Sequence, residues 1–144
     1  MKNQNKIQLF LIDDDALFLR SLEIEFQQHA DFAIETYATG ELCMENISHN
    51  PDVIILDYML DSLEKKAMNG IETLDKIKSF NPDIPVVILS GQDKIEIAVD
   101  CMHHKAFDYV VKNETAFLRL QKIITAIFHY KKMEKELNWY MDRM

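Results

Sequence analysis

A chain of 144 residues with 48% hydrophobic side chains holds enough apolar material for one contiguous core, so a single domain is the expectation. Sixteen basic residues against twenty-four acidic ones leave a formal charge of -8, which argues against direct nucleic-acid binding through bulk charge and favours small cationic partners. No apolar run approaches a membrane span, no cleaved-leader pattern opens the chain, and Cys43 and Cys101 lack metal-ligand spacing; a cytoplasmic protein with buried thiols and no membrane contact is expected.

The first predicted strand, "IQLFLI" from Ile7, ends abruptly in Asp13, Asp14 and Asp15, three carboxylates that repel one another if all are ionised. Leu19, Leu22 and Phe26 then recur at helical spacing, before "FAIETYA" from Phe32 and "DVIILD" from Asp52 give the second and third strands. An irregular connection, "YMLDSLEKKAMN", separates Asp57 from Gly70, after which Ile71, Leu74 and Ile77 mark another helix. "PVVILS" from Pro85 is the fourth strand, Ile95, Val99 and Met102 mark the next helix, and "FDYVVK" from Phe107 is the fifth strand. The remainder, Glu114 to Met144, is too long for a helix that only covers a sheet, since it would run about 46 Å. Within it Ile123, Ala126, Tyr130, Met133, Leu137, Tyr140 and Met144 follow spacings of three and four, a heptad seam.

Strands alternating with helices predict an α/β fold: one doubly wound five-stranded parallel sheet with helices on both faces and an extended C-terminal helix. The third and fourth strands are the most continuously apolar, as strands covered on both faces should be. In such a sheet ligands bind beyond the carboxyl ends of the strands. Asp13 and Asp14 end the first strand, Asp57 the third, Ser90 the fourth, just before Gly91, and Lys112 the fifth. Singly, each has a plainer reading: Asp15 or Asp14 as cap of the first helix, Ser90 as cap of the fourth, Lys112 as a solvated strand end. Together, four complementary polar chemistries converge on one edge. Carboxylates from Asp13, Asp14 and Asp57 suit a hard cation such as Mg2+, and a metal beside a hydroxyl and an ammonium is equipment for phosphoryl transfer. Asp57, alone at a central strand end, is the natural nucleophile.

These motifs, "LIDDD", "DVIILDYM", "VVILSG" and "FDYVVK" in that order, resemble the receiver domain of bacterial two-component response regulators, the chemotaxis receivers among them, over roughly residues 6–127. The resemblance implies a flavodoxin-like sheet of order 2-1-3-4-5 and a phosphoacceptor, Asp57, that takes a phosphoryl group from a histidine of a sensor kinase or phosphotransfer protein. It implies Mg2+ held by Asp14 directly, by Asp13 through water, by Asp57 and by the backbone carbonyl of Met59. Ser90 and Lys112 would contact phosphoryl oxygens, and Gly91 would let its amide approach. Ser90 and Tyr109 would form the switch that carries phosphorylation to the C-terminal face. The receiver would span residues 1–128. Residues 129–144 would form a coiled-coil linker toward an output module, pairing two copies, or else a helix that folds back or frays.

Three departures from the family pattern stand out. Asp61 occupies the place of a usual proline, the connection to Gly70 is about five residues long beyond the usual and reads as a partner-specific insertion, and Asn113 replaces the proline that usually follows the lysine. Met59 and Gln92, at positions that tune phosphate lifetime, offer no carboxylate to activate water, so slow self-hydrolysis is expected and the protein is not a turnover enzyme. Two rival readings exist: "LIDDDAL" also looks like the first motif of haloacid dehalogenase-type phosphatases, with Asp13 as nucleophile and Asp15 as acid, but that family needs a further acidic pair after another strand; a non-phosphorylated binding module that keeps the fold without the chemistry is disfavoured because every expected site residue is present. The five histidines are expected on the solvated surface.

Overall fold

The computed structural model describes residues 6–29 and 31–144. Five strands alternate with five helices: β1 (Ile7–Ile12), α1 (Ala16–Gln27), β2 (Phe32–Tyr37), α2 (Gly40–Glu45), β3 (Val53–Asp57), α3 (Gly70–Phe80), β4 (Val86–Ser90), α4 (Ile95–His103), β5 (Asp108–Val111) and α5 (Ala116–Asp142). All four strand pairings are parallel and the order is β2-β1-β3-β4-β5. From β1 the chain winds outward to β2, then returns to β3 and winds the other way, so the reversal falls between β1 and β3. Asp13, Asp14 and Asp57 stand at the carboxyl ends of those two strands.

The period of two in each strand divides the core into two layers. Phe10, Ile12, Ile54, Leu56 and Ile88 point to one face, where Cys43 of α2, Leu74 and Ile77 of α3 and Cys101 of α4 cover them. Leu9, Leu11, Ile55, Val87, Leu89 and Val110 point to the other, against Leu22 and Phe26 of α1 and Leu120, Ile124 and Ile127 of α5. Every residue of β3 and β4 is buried, as their unbroken apolar runs require. Burial also pushes the Cys43 thiol up to about 12 and that of Cys101 to about 11, which leaves both protonated and unreactive.

Local chemistry sets the helix starts. Asp15 caps α1, its carboxylate accepting from the amides of Leu17 and Phe18 at 3.1 and 3.2 Å. Asn69 and Glu72 form a reciprocal capping box on α3. Ser90 does not cap α4: that helix starts after Lys94 with no side-chain cap, and the Ser90 hydroxyl instead accepts from the Gln92 amide at 3.1 Å. Helix α2, six residues long, is too short for its period to be read from the sequence.

Two predicted faces turn out differently. The spacing of Ile95, Val99 and Met102 marks α4 correctly, but these side chains are 75%, 46% and 48% exposed, and the helix packs inward through Cys101 and Ile97. Helix α5 meets the sheet through Leu120, Ile124 and Ile127, a stripe offset from the heptad seam, and beyond Ile127 none of its residues is buried. The histidines are exposed, except His104, which is half-buried beside Asp75. No helix among the described residues is long and apolar enough to cross a membrane.

Candidate functional site

Among the described residues four polar side chains are buried, and three of them, Asp13, Asp57 and Ser90, lie at the carboxyl edge of the sheet. Asp13 is 1% and Asp57 3% exposed, burial that a carboxylate accepts only with partners close by. Lys112, one residue past β5 rather than within it, supplies the charge: its Nζ lies 2.7 Å from Asp13 Oδ2 and 3.2 Å from Asp57 Oδ1. The ring of Phe18, on the first turn of α1, sits 4.7 Å from the same ammonium and walls off its outer side.

Backbone amides aim the carboxylates. Asp13 Oδ1 accepts from the Asp15 amide at 2.9 Å, and Asp57 Oδ1 accepts from the Met59 amide at 3.3 Å. Asp14, half-buried, points its Oδ2 at the hydroxyl of Ser62, which donates to it from the long β3–α3 connection. Sequence reasoning missed Ser62, because a loop serine carries no signal until the chain folds back over the site. Asp13 Oδ2 is met by the Lys112 ammonium at 2.7 Å. Oxygens of Asp13, Asp14 and Asp57 all lie within 4.8 Å of one another. A set of hard carboxylate oxygens this close together, carrying more negative charge than one lysine neutralises, is a fitting cradle for a small divalent cation.

The electrostatics follow from this crowding. Desolvation, with the neighbouring charge of Asp13 adding to it, raises the Asp57 carboxyl from its ordinary value to about 7, although Lys112 pulls the other way. For Lys112, burial opposes the charged ammonium, but the hydrogen bond and charge of Asp13 and the charge of Asp57 outweigh it and hold the lysine above its ordinary value.

Ser90 ends β4, the strand beside β3, whose Asp57 is in register with Leu89. A Cβ added to Gly91 would meet nothing within 4 Å, so the fold does not demand glycine there and the Cβ side of its backbone faces open space. Gly70 is different: a Cβ would come within 2.6 Å of the Asp57 carbonyl oxygen and 2.7 Å of Tyr58 Cα, so the start of α3 lies directly against the end of β3. Tyr109, half-buried on β5, donates its hydroxyl to the carbonyl of Gln92 and so ties β5 to the loop after Ser90. In place of a proline after Lys112, the Asn113 carboxamide oxygen accepts from the amide and hydroxyl of Thr115 at 3.0 and 2.9 Å, an Asx turn that shapes the loop without one. The sequence-predicted residues therefore gather at one edge. The phosphatase reading does not fit: Asp15 is spent as a helix cap, and after β5 the described chain adds only helix.

Comparison with known proteins agrees. The family model described as response regulator receiver domain matches residues 9–125. A protein-glutamate methylesterase/protein-glutamine glutaminase of Clostridium acetobutylicum is 32% identical over 116 residues, covering 78% of this chain and 32% of the relative. The protein of the same description from Treponema pallidum is 32% identical over 146 residues, covering 95% and 35%. The chain thus spans about a third of the length of these curated relatives. Among solved structures, a BeF3-activated DrrB receiver domain superposes with TM-score 0.69 at 25% identity, covering 83% of this chain and 98% of that one. The signal receiver domain of a putative LuxO repressor from Vibrio parahaemolyticus gives 0.78 at 21% identity, over 92% and 97%, a likeness of fold.

Proposed function

The chain belongs to the response regulator receiver domain family, and on that premise we propose that Asp57 is its phosphoacceptor, taking a phosphoryl group from a histidine of a sensor kinase or phosphotransfer protein. The observation that carries this reading is the Lys112 ammonium set between two buried carboxylates, 2.7 Å from one and 3.2 Å from the other. An Asp57 oxygen attacks phosphorus, the nitrogen–phosphorus bond breaks, and the electron pair stays on the imidazole, which takes up a proton from water. Lys112 then exchanges its contact with Asp57 for one with a phosphoryl oxygen, Ser90 turns its hydroxyl to a second, and the open space above Gly91 receives the third. Asp13, Asp14, Asp57 and the Met59 carbonyl would hold Mg2+, which supplies neutralisation of phosphoryl charge when bound.

The same geometry supports a switch. Once Ser90 turns toward phosphate, its hydroxyl leaves the Gln92 amide; Gln92 also holds Tyr109 through its carbonyl, so the loop, β5 and the exposed apolar face of α4 respond together. The receiver unit ends near residue 128, and residues 129–144 form a helical linker that pairs two copies of the chain. The protein acts as a stoichiometric acceptor in the cytoplasm rather than as a turnover enzyme.

Radiolabelled acetyl phosphate with Mg2+ tests the reading. Asp57→Asn abolishes labelling, whereas Asp13→Asn slows it; loss only in Asp13→Asn would favour the phosphatase chemistry instead. Because Met59 and Gln92 activate no water, the label decays over minutes or longer, and decay within seconds would contradict that.

A further inference from the structure

The sheet edge opposite the carboxylates carries a polar cluster that phosphoryl transfer does not use. There a cleft of about 560 Å³, a volume usual for small-molecule sites, opens between the end of α3 with the turn after it, the α4–β5 turn and the middle of α5. Three lysines from those three segments line it: Lys78, Lys105 and Lys131. Lys78 Nζ donates to the carbonyls of Pro82 and Ile84, and Lys131 Nζ to the carbonyl of Asp52, so two of the ammoniums are anchored at the cleft by backbone. Asp83 and Glu134 also line the cleft, yet among the described residues none of the three lysines forms an ion pair with a carboxylate. Burial, and then the nearby charges of Lys105 and Lys131 set against that of Asp83, hold Lys78 below its ordinary pKa.

Lys105 adds an independent observation. Its φ of 71° lies in the left-handed region that favours glycine, so the chain carries a long cationic side chain where the backbone would be more at ease without one. Phe107 and Tyr130, 44% and 67% exposed, present flat rings on the cleft walls. The chain as a whole carries -8, while three lysines against Asp83 and Glu134 leave this concavity one net positive charge, a local feature set against the bulk field.

We propose that this cleft binds a nucleotide-type ligand, its phosphates among Lys78, Lys105 and Lys131 and its base against the ring of Phe107 or Tyr130. An anion there relieves the mutual repulsion of the lysines, and the rings give a flat base a surface to stack on. The site is separate from the Asp57 pocket and does not depend on its chemistry. It also adjoins the point where α5 leaves the core after Ile127, so occupancy ties the helix extension to α3 and the α4–β5 turn.

The test uses the full chain without divalent cations, titrated with ADP, with pyrophosphate and with a polyglutamate peptide, and read by calorimetry and by amide chemical shifts. ADP should shift the amides of Lys105, Ala106 and Lys131 and bind more tightly than pyrophosphate, which lacks a base. Lys105→Gly and Lys131→Gln should each weaken ADP roughly tenfold, the loss of one charge-assisted contact. Lys105→Gly should melt at or above the wild-type temperature, because glycine suits that backbone, so its weaker binding cannot come from misfolding. Shifts confined to the surroundings of Lys112 and Asp57, wild-type affinity in Lys105→Gly, or pyrophosphate binding as tightly as ADP would overturn the assignment. Tighter binding of polyglutamate on the same amides would make the face a protein-docking surface and overturn it too.

Discussion

Asp57 and Asp13 are buried side by side with one ammonium between them, so the pocket carries more negative charge than Lys112 neutralises. The Asp57 carboxyl, raised by desolvation and by Asp13 to about 7 from 3.8, binds its proton more tightly folded than unfolded. Below pH 3.8 both states hold the proton and above about 7 neither does; between them stability falls as pH rises. Asp57→Asn removes that penalty, so without divalent cations it should stabilise the fold at pH 8 by about 1–3 kcal/mol and have little effect at pH 4, as read by urea unfolding. Equal effects at both pH values would contradict the assigned electrostatics. At this scale the sequence was a good guide to Asp13, Asp57, Ser90 and Lys112, because each ends an apolar strand and strand ends share an edge. It was silent on Ser62 and Phe18, whose contacts with Asp14 and Lys112 depend on how a loop and a helix turn pack over the site.

Helix α3 is placed by contact rather than by conformation. Gly70 has no positive φ, yet any side chain there would strike the backbone of Asp57 and Tyr58. Gly70→Ala should therefore cost about 1–3 kcal/mol and displace the end of β3, with slower acetyl-phosphate labelling as a second readout. Gly91→Ala, with nothing near its new methyl group, should change stability by less than about 0.5 kcal/mol. Matching losses in the two variants would refute the distinction. Elements long enough to show a period were legible: all five strands, and the helices marked by Leu22 and Phe26 or by Leu74 and Ile77. What period alone does not reveal is direction. In α4 both sides of the helix are apolar, and the side the spacing picked out is the exposed one, while Cys101 and Ile97 face the sheet.

Across the molecule, the two-layer core and the β2-β1-β3-β4-β5 order put the carboxylates at one edge and the lysine cleft at the other, with α5 alongside the sheet between them. The alternation of strand and helix makes a parallel sheet with its strand ends on one edge readable in advance, and the family resemblance supplies the strand order, but the cleft at the other edge, built from lysines far apart in the sequence, carries no such signal. The fate of α5 was less readable: its seam continues past the core, whose last fully buried residue is Ile127, with Phe128 partly buried against it. A chain ending at Phe128 should still unfold in one cooperative transition, because it keeps every buried core residue, and should sediment as a monomer where the full chain forms a dimer at micromolar concentration. Identical monomeric behaviour of both would remove the pairing role of residues 129–144. The central claim, that this pocket makes Asp57 the phosphoacceptor, is tested most directly by mass spectrometry of the full chain after incubation with acetyl phosphate and Mg2+, with the modified residue mapped. One phosphoryl group on the peptide containing Asp57 is the predicted result; modification at Asp13 or at another residue, or no covalent adduct at all, would contradict it.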